Sequence, residues 1–150
     1  MTTRKLIVAG RPRSGTSLMM HLLAMSGYRC LRDLAWEDWL RPARKNTYFY
    51  EHGGFVHSGN MALMEGYDAG KVMPGAIPNL PPDEVAIIWM DRRKDDVIAS
   101  QAAYDRQALI GRPLDEDFDQ WNVKALLAPF VHVRLSYDAL VSEIRPTRQS

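Results

Sequence analysis

One stretch near the start of the chain, "KLIVAGRPRSGTSLMMHLLAMSGY" (residues 5–28), constrains the fold more than any other. "KLIVAG" is a short apolar, β-branched run broken by glycine and predicts a buried strand. "SLMMHLLAMSGY" carries apolar residues at helical spacing and predicts a helix ending at Gly27. The order is therefore strand, glycine loop, helix. In that order the loop amides and the positive amino end of the helix converge on one point. An anion is stabilised there without any special side chain.

The loop nearly matches the phosphate-binding pattern G-x-x-x-x-G-K-[ST], with glycines at Gly10 and Gly15 and a hydroxyl at Ser17. In that pattern the lysine reaches the outer phosphates and the last hydroxyl holds Mg²⁺. Here Thr16 stands in the lysine position, and Arg13 lies inside the loop.

The rest of the chain alternates strand and helix signals. "EVAIIWMD" predicts a second strand, apolar throughout as a strand covered on both faces should be. "DDVIASQAAYDRQAL" predicts a helix with Asp95 as N-cap and Val97, Ile98, Ala99 and Ala102 as its apolar side. "PFVHVRLSYDAL" predicts a third strand running into a short terminal helix. "DLAWEDWLRPARK" and "DQWNVKALLA" predict further helices, the first with Leu34, Trp36 and Trp39 partly inward and Pro42 near its end. "NTYFYEHGGF" reads as an ordered loop or short strand whose Tyr48, Phe49 and Tyr50 pack in the core or line a pocket. "SGNMALMEGYDAG" reads as a short helix, and the proline-rich "KVMPGAIPNLPPDE" as a loop. The expectation is an α/β fold: a P-loop NTPase-like, mostly parallel sheet flanked by helices, in a single compact domain over residues 1–150.

Composition narrows the partners. With 46% hydrophobic and 25% charged residues and a net charge of +1, no global field points to nucleic acid or to a membrane surface. The lone Cys30 cannot form an internal disulfide, and no Cys/His spacing resembles a zinc site. The apolar run near the N-terminus is too short for a signal peptide, so a cytoplasmic protein is expected.

"RRKDDVIAS" follows the second strand at once and sets Arg92, Arg93 and Lys94 at its carboxyl end. Two anion sites on one sheet edge suit a ligand with phosphates at two places, as in a 3′,5′-bisphosphorylated nucleoside. "RPRSGTSLM" resembles the 5′-phosphosulfate loop of sulfotransferases, and "RRKDDVIAS" resembles their 3′-phosphate motif R-x-P-x-D-x-x-x-S, with Arg92, Asp96 and Ser100 on its named positions. "NTYFYE" resembles the N-P-K-G-[YF]-[FW]-E segment of bacterial members, and "RLSYDALVSEIRP" the family's strand ending in Y-E-D-L. The four segments span residues 5–146 in the family's order. Lys94 replaces the motif's proline and Arg13 the loop's lysine. The chain also ends before a glycine- and lysine-containing segment that helps other members hold adenosine bisphosphate, and its Arg145 and Arg148 read as solvated tail residues.

The resemblance implies binding of 3′-phosphoadenosine 5′-phosphosulfate, release of adenosine 3′,5′-bisphosphate, and no required metal. It assigns Arg11, Arg13, Ser14, Gly15, Thr16 and Ser17 to the 5′-phosphate, with Arg13 also meeting charge on the bridging oxygen. It assigns Arg92 and Ser100 to the 3′-phosphate. Glu51 becomes the first candidate for the base, with His52 and His57 competing, and Lys71 opens a "KVMP" stretch similar to the family's K-D-P-R and reaches the sulfate. The acceptor, a small molecule or peptide, has no recognisable code. Two other classes stay open. One is a P-loop kinase or NTPase using Mg-ATP, with Ser17 on the metal and Asp91 as its acid. The other is a non-catalytic nucleotide-binding module, with Trp36, Trp39 and methionines available for a homo-oligomer interface.

Overall fold

A computed structural model of the chain describes residues 3–11, 14–40, 50–97, 99 and 122–144. Strands β1 (Lys5–Gly10), β2 (Ala69–Lys71), β3 (Val85–Asp91) and β4 (Val131–Ser136) form one sheet in the order β2-β1-β3-β4. Every neighbouring pair is parallel, with Val8 opposite Lys71, Gly10 opposite Met90 and Asp91 opposite Ser136. The chain leaves β1 for β2 on one side, then crosses back to β3 on the other. The connections after β1 and β3 therefore diverge, the topology in which α/β sheets place ligands outside the carboxyl ends of their strands.

β1 and β3 present alternate residues to two covered faces, while β4 is exposed along most of its length. Ile7, Ala9, Val85, Ile87 and Trp89 pack with Phe55, Met64, Ile77 and Leu127 on one face. Val8 and Met90 pack with Met20, Leu23 and Tyr50 on the other. Trp89, Phe55 and Ile7 are each 0% exposed, and burying each such side chain contributes about 1.5–3 kcal/mol. This is a helix–sheet–helix α/β layering. No helix of the described residues is long and apolar enough to cross a membrane.

Helix α1 (Thr16–Met25) covers the second face, and its carboxyl end turns at Gly27, whose φ of 97° only glycine adopts freely. Helix α2 (Leu34–Leu40) starts where the Asp33 carboxylate accepts the Ala35 N–H at 3.1 Å. Helix α3 (Gly53–Ser58) is capped by His52, and helix α4 (Val123–Leu127) by Asn122. Helix α5 (Tyr137–Ile144) follows β4 directly.

Three local expectations need correction. The stretch read as loop begins inside a strand, β2, and continues into a 3₁₀ helix over Pro74–Asn79, since Val8 and Leu6 offer Ala69–Lys71 a ladder to join. In α2, Leu34 is 60% exposed and Glu37 is fully buried, because the Arg32–Glu37 ion pair, rather than an apolar face, sets the rotation of the helix. Asp95 lies within the helical turn 94–97 and not before it, and the Arg93 carbonyl accepts the Val97 N–H at 3.0 Å. Tyr48, Phe49, Pro42, Ile98 and Ala102, and the Trp39 side chain, lie outside the described residues.

Candidate functional site

The site begins where β1 ends. A side chain on Gly10 would run into the Ser14 hydroxyl and the Met90 carbonyl, so glycine lets the loop fold back across the strand end. Ser14 is buried, and both its hydroxyl and its N–H donate to the Arg11 carbonyl. Its side chain thus closes the loop on itself, and Arg11 contributes a carbonyl to that closure. Gly15 is the N-cap of α1 at φ 100°, with no side-chain cap, and Thr16 and Ser17 form the first turn, partly buried. Arg13 lies outside the described residues. The helix amides and its dipole face the mouth of the loop, which favours an anion.

The adjacent strand brings a cation to this point. Lys71 ends β2, opposite Val8 of β1, and its ammonium donates to the Ser17 hydroxyl at 3.0 Å. The same ammonium lies 3.2 Å from Glu51 Oε1, and the Trp36 indole N–H donates to Glu51 Oε2 at 3.1 Å. Lys71 and Glu51 are only 5% and 8% exposed, so their attraction is little screened by solvent. A hydroxyl of the first helical turn, a lysine and a carboxylate from three separate chain segments thus meet beside the amino end of α1. Gly70, just before Lys71, fixes the strand's depth, since a Cβ there would lie 2.7 Å from Met64 Sδ and 2.8 Å from Phe55 Cε1.

Arg92 approaches from the end of β3. Its guanidinium lies 4.4 Å from the centroid of the Tyr137 ring, a cation–π distance. Tyr137 in turn covers Gly15, where any Cβ would strike the ring. One aromatic side chain therefore connects the loop to the basic cluster, a role that sequence reasoning missed even though Tyr137 stood inside a quoted motif. Ser100 lies outside the described residues, while Asp96 pairs with Arg93 at 3.3 Å.

Asp91 is engaged elsewhere. Arg134 donates to it from Nε at 2.8 Å and from a terminal nitrogen at 2.9 Å, and the Trp89 indole donates at 3.1 Å. The hydrogen bond from Arg134, with a further Coulombic contribution, raises the guanidinium's pKa above its ordinary value. Among the competing histidines, His52 Nδ1 accepts the Phe55 N–H as a helix cap, and His57 is exposed on α3. Neither is brought to the Lys71–Glu51 pair by any described contact.

The assembled site offers an oriented amide and dipole field, an ammonium, a shielded carboxylate, and a guanidinium stacked on an aromatic ring. That set can hold a doubly anionic ligand and accept a proton beside it. No protein-family model and no curated protein matches this chain.

Proposed function

We propose that this chain is a sulfotransferase of P-loop type, binding 3′-phosphoadenosine 5′-phosphosulfate and transferring its sulfuryl group to a hydroxyl or amine of a small-molecule or peptide acceptor. The observation that carries the reading is the Lys71 ammonium at Ser17 Oγ, 3.0 Å away. A loop whose sequence lacks the lysine of an ordinary phosphate loop has a lysine supplied from the neighbouring strand, with Glu51 beside it. Arg92 at the end of β3 gives a second anion contact on the same sheet edge. A single cysteine without a disulfide partner suits a cytoplasmic setting.

The donor supplies an activated sulfuryl group on a phosphate leaving group. Transfer of this kind needs in-line placement and stabilisation of charge on that phosphate, with little covalent work for the protein. The loop amides and the amino end of α1 face that charge, and Lys71 adds a full positive charge at Ser17. Arg92 holds the 3′-phosphate as a planar, multiply donating cation. As the acceptor's bond to sulfur forms and the sulfur–oxygen bond to the 5′-phosphate breaks, the Glu51 carboxylate takes the acceptor proton. An anion at Ser17 competes with Glu51 for the Lys71 ammonium, so ligand arrival loosens the carboxylate for that task.

The occupation of Asp91 by Arg134 and Trp89 supports this reading over a kinase in which Asp91 would serve Mg²⁺. The deciding experiment is calorimetric titration with adenosine 3′,5′-bisphosphate without metal, beside ATP with Mg²⁺. The expected result is metal-independent binding that becomes much weaker when the 3′-phosphate is removed. Preference for ATP with Mg²⁺ would overturn the reading in favour of a kinase, and binding of neither in favour of a module without nucleotide chemistry.

A further inference from the structure

We infer that Glu37, paired with Arg32, is the positioning residue that aims Glu51 at Lys71. Glu37 is 0% exposed, and Arg32 engages both its oxygens, from Nε at 2.8 Å and from a terminal nitrogen at 2.9 Å. The hydrogen bond that Arg32 donates to Glu37 holds the guanidinium above its ordinary pKa. A buried ion pair is weak evidence of stabilisation in itself, because desolvation consumes most of the attraction. The informative point is what else this carboxylate holds. Glu37 Oε1 also accepts the backbone N–H of Tyr50 at 2.9 Å.

Tyr50 is the only non-glycine residue with positive φ among the described residues, at 49°. Such a backbone is costly for a bulky side chain and persists only where its surroundings enforce it. The enforcing contacts converge from three directions. Glu37 takes its N–H, the Arg32 guanidinium lies 4.5 Å from its ring centroid, and its hydroxyl meets His21 Nδ1 at 3.0 Å. The next residue is Glu51, so the left-handed turn at Tyr50 sets the direction in which Glu51 leaves the chain. Helix α2 holds the pair in step. Its consecutive residues Trp36 and Glu37 bind the consecutive residues Glu51 and Tyr50, and the Asp33 N–H donates to the Glu51 carbonyl at 2.8 Å.

The inference rests on the reading above only in taking Glu51 as the group that matters chemically. Its test uses no nucleotide, so failure of nucleotide binding and failure of this inference are separate results. The full chain is labelled with acetic anhydride at limiting dose, and acetylation of Lys71 is followed by peptide mass spectrometry. Glu37→Asp keeps the charge for Arg32 but withdraws the oxygen from the Tyr50 N–H, and Glu37→Ala removes both. Each should raise Lys71 labelling about fivefold, as loss of one hydrogen bond allows, and the isosteric Glu37→Gln, which sets an amide donor against an Arg32 N–H, should raise it as well. In a Glu51→Gln background, where Lys71 has already lost its carboxylate, Glu37→Asp should add nothing. If Glu37→Ala does not fold, Glu37→Asp and Glu37→Gln carry the comparison. An equal rise in both backgrounds, or no rise in folded Glu37→Asp, overturns the inference.

Discussion

Lys71 and Ser17 are 54 residues apart in the chain, yet the ammonium of one donates to the hydroxyl of the other at 3.0 Å. The contact joins the end of β2 to the first turn of α1 and brings a cation to a loop that lacks its own lysine. Lys71→Met should weaken adenosine 3′,5′-bisphosphate binding by about 1.5–3 kcal/mol, the range for hydrogen bonds to charged groups, as read by calorimetry. Unchanged affinity in the folded variant would remove Lys71 from the anion site.

Glu51 faces the same ammonium at 3.2 Å but carries the opposite charge, so its replacement should act differently. Glu51→Gln is expected to lower turnover without weakening donor binding, measured by sulfuryl transfer beside calorimetry. Equal loss of both would assign Glu51 to structure.

The Arg92 guanidinium lies over the Tyr137 ring at 4.4 Å, and a planar, multiply donating cation can keep such a contact while offering nitrogens to an anion. Arg92→Lys should therefore fail to rescue Arg92→Ala, each losing about 1.5–3 kcal/mol of bisphosphate affinity. The loss should vanish for a ligand without the 3′-phosphate. Equal losses for both ligands would place Arg92 elsewhere.

Gly15 holds φ at 100° beneath the Tyr137 ring. Gly15→Ala combines backbone strain with a collision and should destabilise the fold by about 1–3 kcal/mol in urea titration. Tyr137→Ala in the same chain should recover the steric part but not the conformational part. Full recovery would mean that φ at this position costs nothing.

The loop, its helix and β3 were legible in the sequence because the loop has glycines at a forced turn, the helix an apolar period and β3 an unbroken apolar run. β2 was not. Three residues with a central glycine show no alternation, and Ala69–Lys71 becomes a strand only because Leu6–Val8 is there to pair with it. Lys71 was found through the family resemblance, not through its own neighbours. Glu37 gave no signal at all: a glutamate on a short helix reads as solvated, and its burial depends on Arg32 and on the backbone of Tyr50. Tyr137 was hidden for a similar reason, since its value lies in covering Gly15 and supporting Arg92 across the sheet edge. Arg13 and Ser100 lie outside the described residues.

Arg29 and Asp68 pair at 3.2 Å across the opening of β2, and the backbone N–H of Arg29 also donates to Asp68 at 2.8 Å. The side-chain hydrogen bond from Arg29 is the first cause holding the Asp68 carboxyl below its ordinary pKa. A depressed folded value means that the contribution is present above the unfolded carboxylate range and is lost as pH falls through the folded value. Thermal stability should therefore decline on the acid side, and Asp68→Asn should flatten that decline in melting curves recorded from neutral to acid pH. An unchanged acid limb would assign it to other carboxylates.

The strand that delivers Lys71 is only three residues long and lies at the border of the sheet. Its ladder to β1 is correspondingly brief, while β1 and β3 are paired over six positions. All three of its residues are nonetheless buried, and on its outer side the Leu31 N–H donates to the Ala69 carbonyl at 2.8 Å and the Asp68 N–H to the Arg29 carbonyl at 2.7 Å. The amine is therefore kept in place by packing and by this second backbone seam, so a change in the segment 29–31 would reach Lys71 without touching the glycine loop.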